Sequence, residues 1–228
     1  MKVLDAIFVT SAAEARALPG YATPQVALVG RSNVGKSSLI NALTRRRIAR
    51  TSAAPGKTRL ANVYRVELTG PRPEAGGGGA KSRSRGPGPW TLYLVDLPGY
   101  GYARGGSSAA DAFARLAEEY FGAMPGHPQV APGPAAALLL VDARHPGLDA
   151  DRAAFDWLAR GDLPLGIVAT KTDKLGRADR ARALRGLERA YDRPVVAASA
   201  TTGEGLDDLW NLITRLVRRT TRRLPSPS

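Results

Sequence analysis

The sequence predicts a doubly wound α/β fold, in which helices cover both faces of a largely parallel sheet with one antiparallel strand. Three observations carry this expectation. A glycine-rich stretch at residues 30–38, GRSNVGKSS, stands between an apolar run and a segment with helical patterning. Continuous apolar runs at 25–29, 136–141 and 165–169 have the composition of strands buried on both faces of a parallel sheet. Between them, apolar residues recur every three or four positions, as amphipathic helices require.

Each element follows in order. Residues 1–24 read as a leader with an edge strand at 6–10 and a short helical piece at 12–17. After the strand at 25–29 and the glycine-rich loop, a helix starts at Ser38 and runs to about Arg46. Arg45, Arg46 and Arg47 suit the negative end of that helix and read as a solvated helix end. Residues 50–57 are a polar loop with a Pro-Gly turn, and the alternating stretch 60–68 reads as a strand. Residues 70–89 (GPRPEAGGGGAKSRSRGPGP) hold too little apolar surface to fold alone, so a disordered, swollen hairpin loop is expected there. Its Arg72, Lys81, Arg83 and Arg85 read first as part of a passive insertion. A strand at 92–95 ends at Asp96 and leads into the glycine-rich loop DLPGYGYARGG. Ser107 then caps a helix with Phe113, Leu116, Ala117, Tyr120 and Phe121 on one stripe. A crossover helix is expected at 151–160, through Phe155 and Leu158, another helix at 177–191 and a strand at 194–198. The last helix places Leu206, Leu209, Trp210, Ile213 and Val217 on one face, with Asp207 and Asp208 near its start and Arg215, Arg218 and Arg219 near its end. Both charge placements favour the helix dipole. The expected organisation is one domain over 25–219, followed by a fraying basic tail at 220–228.

Composition narrows the function classes. The 228 residues, 43% of them hydrophobic, suffice for one α/β domain. The absence of cysteine excludes disulfides, thiolate zinc sites and cysteine nucleophiles. No apolar run is long enough to cross a membrane, and the N-terminal stretch is too short and carries Asp5, so a cytoplasmic protein without a membrane partner is expected. A net charge of +13 points toward nucleic acid or a ribonucleoprotein, although the Ala, Gly, Pro and Arg bias of the chain inflates arginine. His127 and His145 lack any constellation that would make a second active site, and no segment marks a dimerisation helix, so a monomer is expected.

The chemistry begins at the glycine-rich loop. Gly30, Gly35, Lys36 and Ser37 fit the phosphate-binding pattern G-x-x-x-x-G-K-[ST], whose glycines let backbone N–H groups converge on phosphate at a helix N-terminus. Arg31, Ser32, Asn33, Val34 and Ser38 complete the loop, with Lys36 able to reach the β and γ phosphates and Ser37 able to hold Mg²⁺. This motif alone leaves ATPase, kinase and GTPase open. Asp96, Leu97, Pro98 and Gly99 follow a strand, where an aspartate can hold a Mg²⁺-bound water and a glycine N–H can contact the γ phosphate. Thr170, Lys171, Thr172 and Asp173 end another strand. There the Asp173 carboxylate can accept both guanine N1–H and the exocyclic amine, a pair adenine does not offer, while Lys171 packs its stem over the base. Ala198 ends the next strand, and Ser199-Ala200 after it offers a backbone N–H to the guanine O6.

GRSNVGKSS at 30–38, PGKTR at 55–59, VDLPGYGYAR at 95–104, TKTD and ASA together resemble the bacterial EngB ribosome-biogenesis GTPases, over about residues 5–219. The resemblance implies a three-layer Ras-like P-loop GTPase domain with a mostly parallel six-stranded sheet, Mg²⁺-dependent binding of GTP and GDP, and work on the large ribosomal subunit precursor, with a looser link to cell division and septation. It also implies that Thr58 joins Ser37 on Mg²⁺, with Gly56, Lys57, Arg59 and Leu60 around it; the loop by itself offers Thr51 and Ser52 equally. The insert at 70–89 and the arginine-rich tail depart from the family pattern. Where a Ras-type protein has a water-orienting glutamine after DxxG, this chain has Tyr100, so slow intrinsic turnover of about 10⁻⁴ to 10⁻³ s⁻¹ is expected until an activator is met. Lys36, Asn33, Thr58 and Gly99 are the candidate catalytic residues, Asn33 through a K⁺ ion beside the phosphates; an Asn that caps the loop is the alternative. Lys57, Arg59 and Arg104 are further cations near the switch loops. A nucleotide-gated RNA-binding module with negligible catalysis is the alternative from another class, and TKTD disfavours a metabolic kinase or ATPase.

Overall fold

The computed structural model describes residues 1–19, 23–51, 60–70, 88–100, 107–122, 134–161 and 163–221, and in the helix that begins at Ser107 it describes side chains from Ala114 onward. Seven strands form one sheet in the order β1-β3-β4-β2-β5-β6-β7. They are β1 (Lys2–Ala12), β2 (Gln25–Gly30), β3 (Ala61–Thr69), β4 (Trp90–Asp96), β5 (Ala136–Asp142), β6 (Leu165–Thr170) and β7 (Val195–Ala197). The α-helices are α1 (Lys36–Thr44), α2 (Ser107–Gly122), α3 (Asp149–Ala159), α4 (Arg177–Tyr191) and α5 (Leu206–Thr221). Only β3 runs against the others, antiparallel to both β1 and β4, so the single antiparallel strand expected from sequence is present.

The sheet corrects the expected six strands to seven. β1 spans eleven residues rather than the five expected, and pairs with β3 from Lys2↔Thr69 to Ala12↔Ala61. Two register irregularities, at Val3/Asp5 and Phe8/Thr10, interrupt its alternation. The helical piece expected at 12–17 shrinks to a single 3₁₀ turn, Ala15–Ala17. The other helices lie within about two residues of expectation. α1 stops because Arg45 takes a left-handed conformation, φ 55°. Arg45, Arg46 and Arg47 are all exposed, as a solvated helix end requires, and Arg46 also forms an ion pair with Asp5 of β1 at 2.9 Å.

Strand periodicity of two sorts the core into two layers. Leu138 and Leu140 of β5 join α1 and α5 through Leu39, Ile40, Leu43, Leu209 and Ile213. Ala137, Leu139 and Val141 face the other way, toward Leu116 and Tyr120 of α2, Phe155 and Leu158 of α3, and Leu187 and Tyr191 of α4. Each fully buried Leu, Ile or Phe side chain contributes about 1.5–3 kcal/mol, so these layers hold the helices against the sheet. Gly166 allows close contact on β6, because a Cβ there would lie 2.9 Å from Leu212 and 3.0 Å from Leu216 of α5.

This arrangement brings the C-terminal ends of β2, β4, β5, β6 and β7 to one edge of the sheet. In open α/β sheets, ligands bind along that edge.

Candidate nucleotide site

The phosphate loop joins β2 directly to α1. Asn33 (φ 62°) and Gly35 (φ 109°) both adopt left-handed backbone, which curls the chain so that successive amides turn inward. Asparagine is one of the few side chains that tolerates this conformation, a reason for Asn33 that needs no ion. Gly30 is fixed by packing: an added Cβ would meet Val34 Cγ1 at 2.8 Å and Leu140 O at 2.9 Å. Lys36 folds back over the loop, its Nζ donating to Gly30 O at 3.1 Å and Arg31 O at 3.5 Å. Burial lowers the Lys36 pKa, and the negative charge of Asp96 opposes that shift.

Ser37 Oγ donates to Asp96 Oδ2 at 2.8 Å, joining the start of α1 to the end of β4. Asp96 is 1% exposed, and its Oδ1 has no hydrogen-bond partner among the described residues. Burial raises the Asp96 pKa, while Lys36 and the Ser37 hydrogen bond pull it down. Leu97 donates its N–H to Leu28 O at 3.2 Å, which keeps the DLPG segment alongside β2. Gly99 then lies directly on the phosphate loop, where a Cβ would fall 2.5 Å from Ser32 N. Ser32 N–H donates to Tyr100 O at 3.2 Å, and Ser32 Oγ donates weakly to Gly99 O at 3.4 Å.

A third side of the site comes from β6 and β7. Thr170 Oγ1 donates to Val34 O at 2.7 Å and Val141 O at 3.1 Å, tying the end of β6 to the phosphate loop and β5. Lys171 is left-handed (φ 59°), and its Nζ donates to Asn33 O at 2.6 Å and Asp142 Oδ2 at 2.9 Å. Its stem is thereby stretched from the base loop to the phosphate loop. Asp173 accepts Ser199 Oγ–H at 2.7 Å, and this hydrogen bond is the main cause of its lowered pKa. Ser199 Oγ also accepts the Thr201 and Thr202 N–H groups at 3.2 and 3.1 Å. The Ser199 N–H is taken by Glu204 O at 2.9 Å, whereas Ala200 N–H meets no acceptor among the described residues. Gly205 (φ 75°) closes the loop so tightly that a Cβ would overlap Ala197 O at 1.9 Å.

The expected residues at 30–38, 96–99, 170–173 and 198–200 therefore converge on one edge, with Ser38 and Leu60 exposed at its margin. Gly56, Lys57, Thr58, Arg59 and Arg104 lie outside the described residues, as do His127 and most of the 70–89 insert and the basic tail.

Two clusters were missed from sequence. Asp142, at the end of β5, receives Arg144 Nε at 2.9 Å, Arg144 Nη2 at 2.8 Å and the Lys171 ammonium at 2.9 Å. Burial would raise its pKa, but these donors together hold it well below the usual carboxylate range. On α3, Asp151 is 1% exposed and accepts the Tyr100 hydroxyl at 2.9 Å, with Arg31 Nε at 3.2 Å. Tyr100 is thus directed to α3, away from any water-orienting task. Beside it, an apolar pocket of about 450 Å³ opens between α2 and α3, lined by Val29, Ala117 and Trp157. Its lining holds no basic side chain to meet a phosphate, and Glu118 among it would repel one.

Comparison with known proteins agrees with this geometry. Residues 25–171 match the 50S ribosome-binding GTPase family. The "Probable GTP-binding protein EngB" of Symbiobacterium thermophilum is 42% identical, covering 92% of this chain and 94% of that protein. The chain belongs to the EngB family of GTP-binding proteins. Its EngB relative from Chlorobium luteolum is 37% identical, covering 92% of this chain and 88% of that protein. Among solved structures, a probable GTP-binding protein engB superposes with a TM-score of 0.56 at 20% identity, covering 86% of this chain and 99% of the other. Era in complex with MgGDPNP and a 16S ribosomal RNA fragment gives a TM-score of 0.61 at 21% identity, covering 90% of this chain and 58% of the other. At those identities the likeness shows the Ras-like P-loop fold. As an EngB-type GTPase, the protein is a GTP hydrolase.

Proposed function

We propose that this EngB-family protein is a Mg²⁺-dependent GTP switch that acts in the cytoplasm on the large ribosomal subunit precursor and, through that role, in normal cell division. The observation that carries the reading is the meeting of Lys36, the Ser37–Asp96 pair and the Asp173–Ser199 pair at one sheet edge. Phosphate, cation and guanine functions thus have separate, preformed partners.

The residues fit a magnesium ion. A serine hydroxyl and an aspartate with one unpartnered buried oxygen stand side by side, and hard oxygen donors of this kind suit Mg²⁺ with its retained waters. Ser37 and Thr58 would hold it directly and Asp96 through water; bound there, the ion neutralises charge on the phosphates. Lys36 exchanges its backbone carbonyl partners for phosphate oxygens. The loop amides and the Gly99 N–H orient the γ phosphate. Asp173 reads guanine, Lys171 covers the base, and Ala200 N–H addresses O6. Attack by water is in line, and no side chain among those described is placed to orient it, which supports slow turnover by the protein alone. Asn33, exposed on the phosphate loop, is the candidate for K⁺ stimulation.

The test is co-sedimentation with large-subunit particles in GDP and in a non-hydrolysable GTP analogue, with phosphate release from GTP followed in parallel in KCl and NaCl. Analogue-dependent binding with stimulated release is expected. Binding indifferent to nucleotide would overturn the switch reading, and equal rates in the two salts on the particle would remove K⁺ from it.

A further inference from the structure

On α4, the buried side is made by Ala183, Leu187 and Tyr191. At 100° per residue, Arg182, Arg185 and Arg189 fall on the opposite side, as one outward ridge. All three are exposed. Arg182 has Asp179 at 3.2 Å, in a pair whose side chains are 78% and 62% exposed, so solvent screens it. Arg185 and Arg189 have no carboxylate within ion-pair distance among the described residues, although they stand one turn apart, where like charges destabilise a helix. Arg193, just beyond the helix, is not part of this ridge: its guanidinium and that of Arg152 from α3 each lie 5.8 Å from the centre of the Phe155 ring, on the side of Tyr191.

A second observation points the same way. Gly186 sits mid-helix on this outward side, and a Cβ there would meet nothing within 4 Å. Glycine inside a helix is unfavourable, and no internal packing requires it at this position. Its effect is to leave a low point between the arginines, where a foreign backbone can approach closely.

We infer that the α4 ridge of Arg182, Arg185 and Arg189, with Gly186 between them, is a docking surface for the phosphodiester backbone of RNA. Guanidinium groups grip phosphates bidentately and can stack on unpaired bases, which lysines do not do as well. Successive arginines advance by about 4.5 and 6 Å along the helix axis, a step that lets each address its own phosphate. A membrane surface is disfavoured, because the exposed large apolar side chains among the described residues belong to β1 and to Leu60, not to this ridge. The inference rests on the proposed ribosomal role and assigns it a surface separate from the nucleotide site.

The test uses the full chain with two substitution sets, Arg185→Glu together with Arg189→Glu, and Gly186→Leu. Probes are large-subunit particles, deproteinised large-subunit rRNA, and vesicles rich in phosphatidylserine. The double reversal is expected to weaken rRNA binding at least about tenfold near physiological salt and to flatten its salt dependence by about 1.5 in log–log slope. Gly186→Leu should weaken it severalfold without any change in charge. Guanine-nucleotide affinity should hold in both variants and neither melting temperature should fall, with Gly186→Leu raising it slightly because glycine is unfavourable inside a helix, which separates lost docking from lost folding. Wild-type binding to particles that the double variant matches would overturn the ridge and leave the ribosomal role standing. Failure of the wild type to bind particles or rRNA would sink both, and binding to vesicles in preference to rRNA would overturn RNA as the occupant.

Discussion

In the proposed reading, guanine selection falls to Asp173, a carboxylate whose charge is secured by a neighbouring hydroxyl. Ser199 Oγ–H occupies Asp173 Oδ1 at 2.7 Å and leaves the other oxygen beside Lys174 at 3.4 Å. Asp173→Asn turns one acceptor into a donor, so preference should move from guanine toward xanthine nucleotides; competition between GDP and XDP measures it, and unchanged GDP preference would reject the assignment. Loss of a charge-assisted hydrogen bond costs about 1.5–3 kcal/mol, so GDP should bind the variant at least about tenfold more weakly. Ser199→Ala acts more mildly and with a pH signature. The native hydrogen bond lowers the Asp173 pKa, so the ionised form persists below the ordinary value of about 4. Without it, GDP binding should begin to fail at higher pH on acidification, whereas superimposable pH profiles would deny Ser199 this role.

Along the edge that carries the candidate site, loops from different strands are tied to one another rather than held separately. Lys171 spans from the end of β6 to the phosphate loop, and Asp142 at the end of β5 steadies its ammonium at 2.9 Å, itself gripped by Arg144. Arg144→Ala should therefore loosen Lys171 and weaken nucleotide binding severalfold. Because the Asp142 pKa is depressed in the fold, its contribution to stability is present above about pH 4 and is lost as pH falls below it. The variant should be less stable than wild type at neutral pH by about 1 kcal/mol, since Arg144 is largely solvated, and the two unfolding curves should converge in acid. A difference that persisted at low pH would point to packing instead. Such ties mark where sequence reading stops. The phosphate loop, DLPG, TKTD and the span 177–191 of α4 were legible because each is a local pattern that one element satisfies. The extent of β1 was not, because Leu4, Ile7, Phe8 and Val9 are all well exposed and two irregularities break the alternation that would announce a strand. The partnership of Tyr100 with Asp151 joins residues 51 apart and leaves no periodic trace. Asp142-Ala143-Arg144, by contrast, carried a usable signal: a carboxylate at a strand end with an arginine two residues on.

Because β2, β4, β6 and β7 each deliver one part of the candidate site, nucleotide bound there would join loops from several strands of the sheet. A ligand that binds only the folded chain stabilises it by an amount set by its concentration over Kd, about 4 kcal/mol at a thousandfold excess. For a domain of this size each kcal/mol raises the melting temperature by about 2–4 °C. Saturating GDP with Mg²⁺ should thus raise Tm by roughly 8–16 °C. ADP with Mg²⁺ offers the same phosphates and the same ion but lacks the donors that Asp173 accepts, so its shift should be small. The difference between the two isolates base recognition from phosphate binding. Removing Mg²⁺ with a chelator tests the other half of the proposed site: Asp96, buried with one oxygen unpartnered, would gain a partner in the ion's water, so the GDP shift should shrink without vanishing. Equal shifts with ADP and GDP would mean that the ends of β6 and β7 do not read the base, and the phosphate loop would then be acting alone.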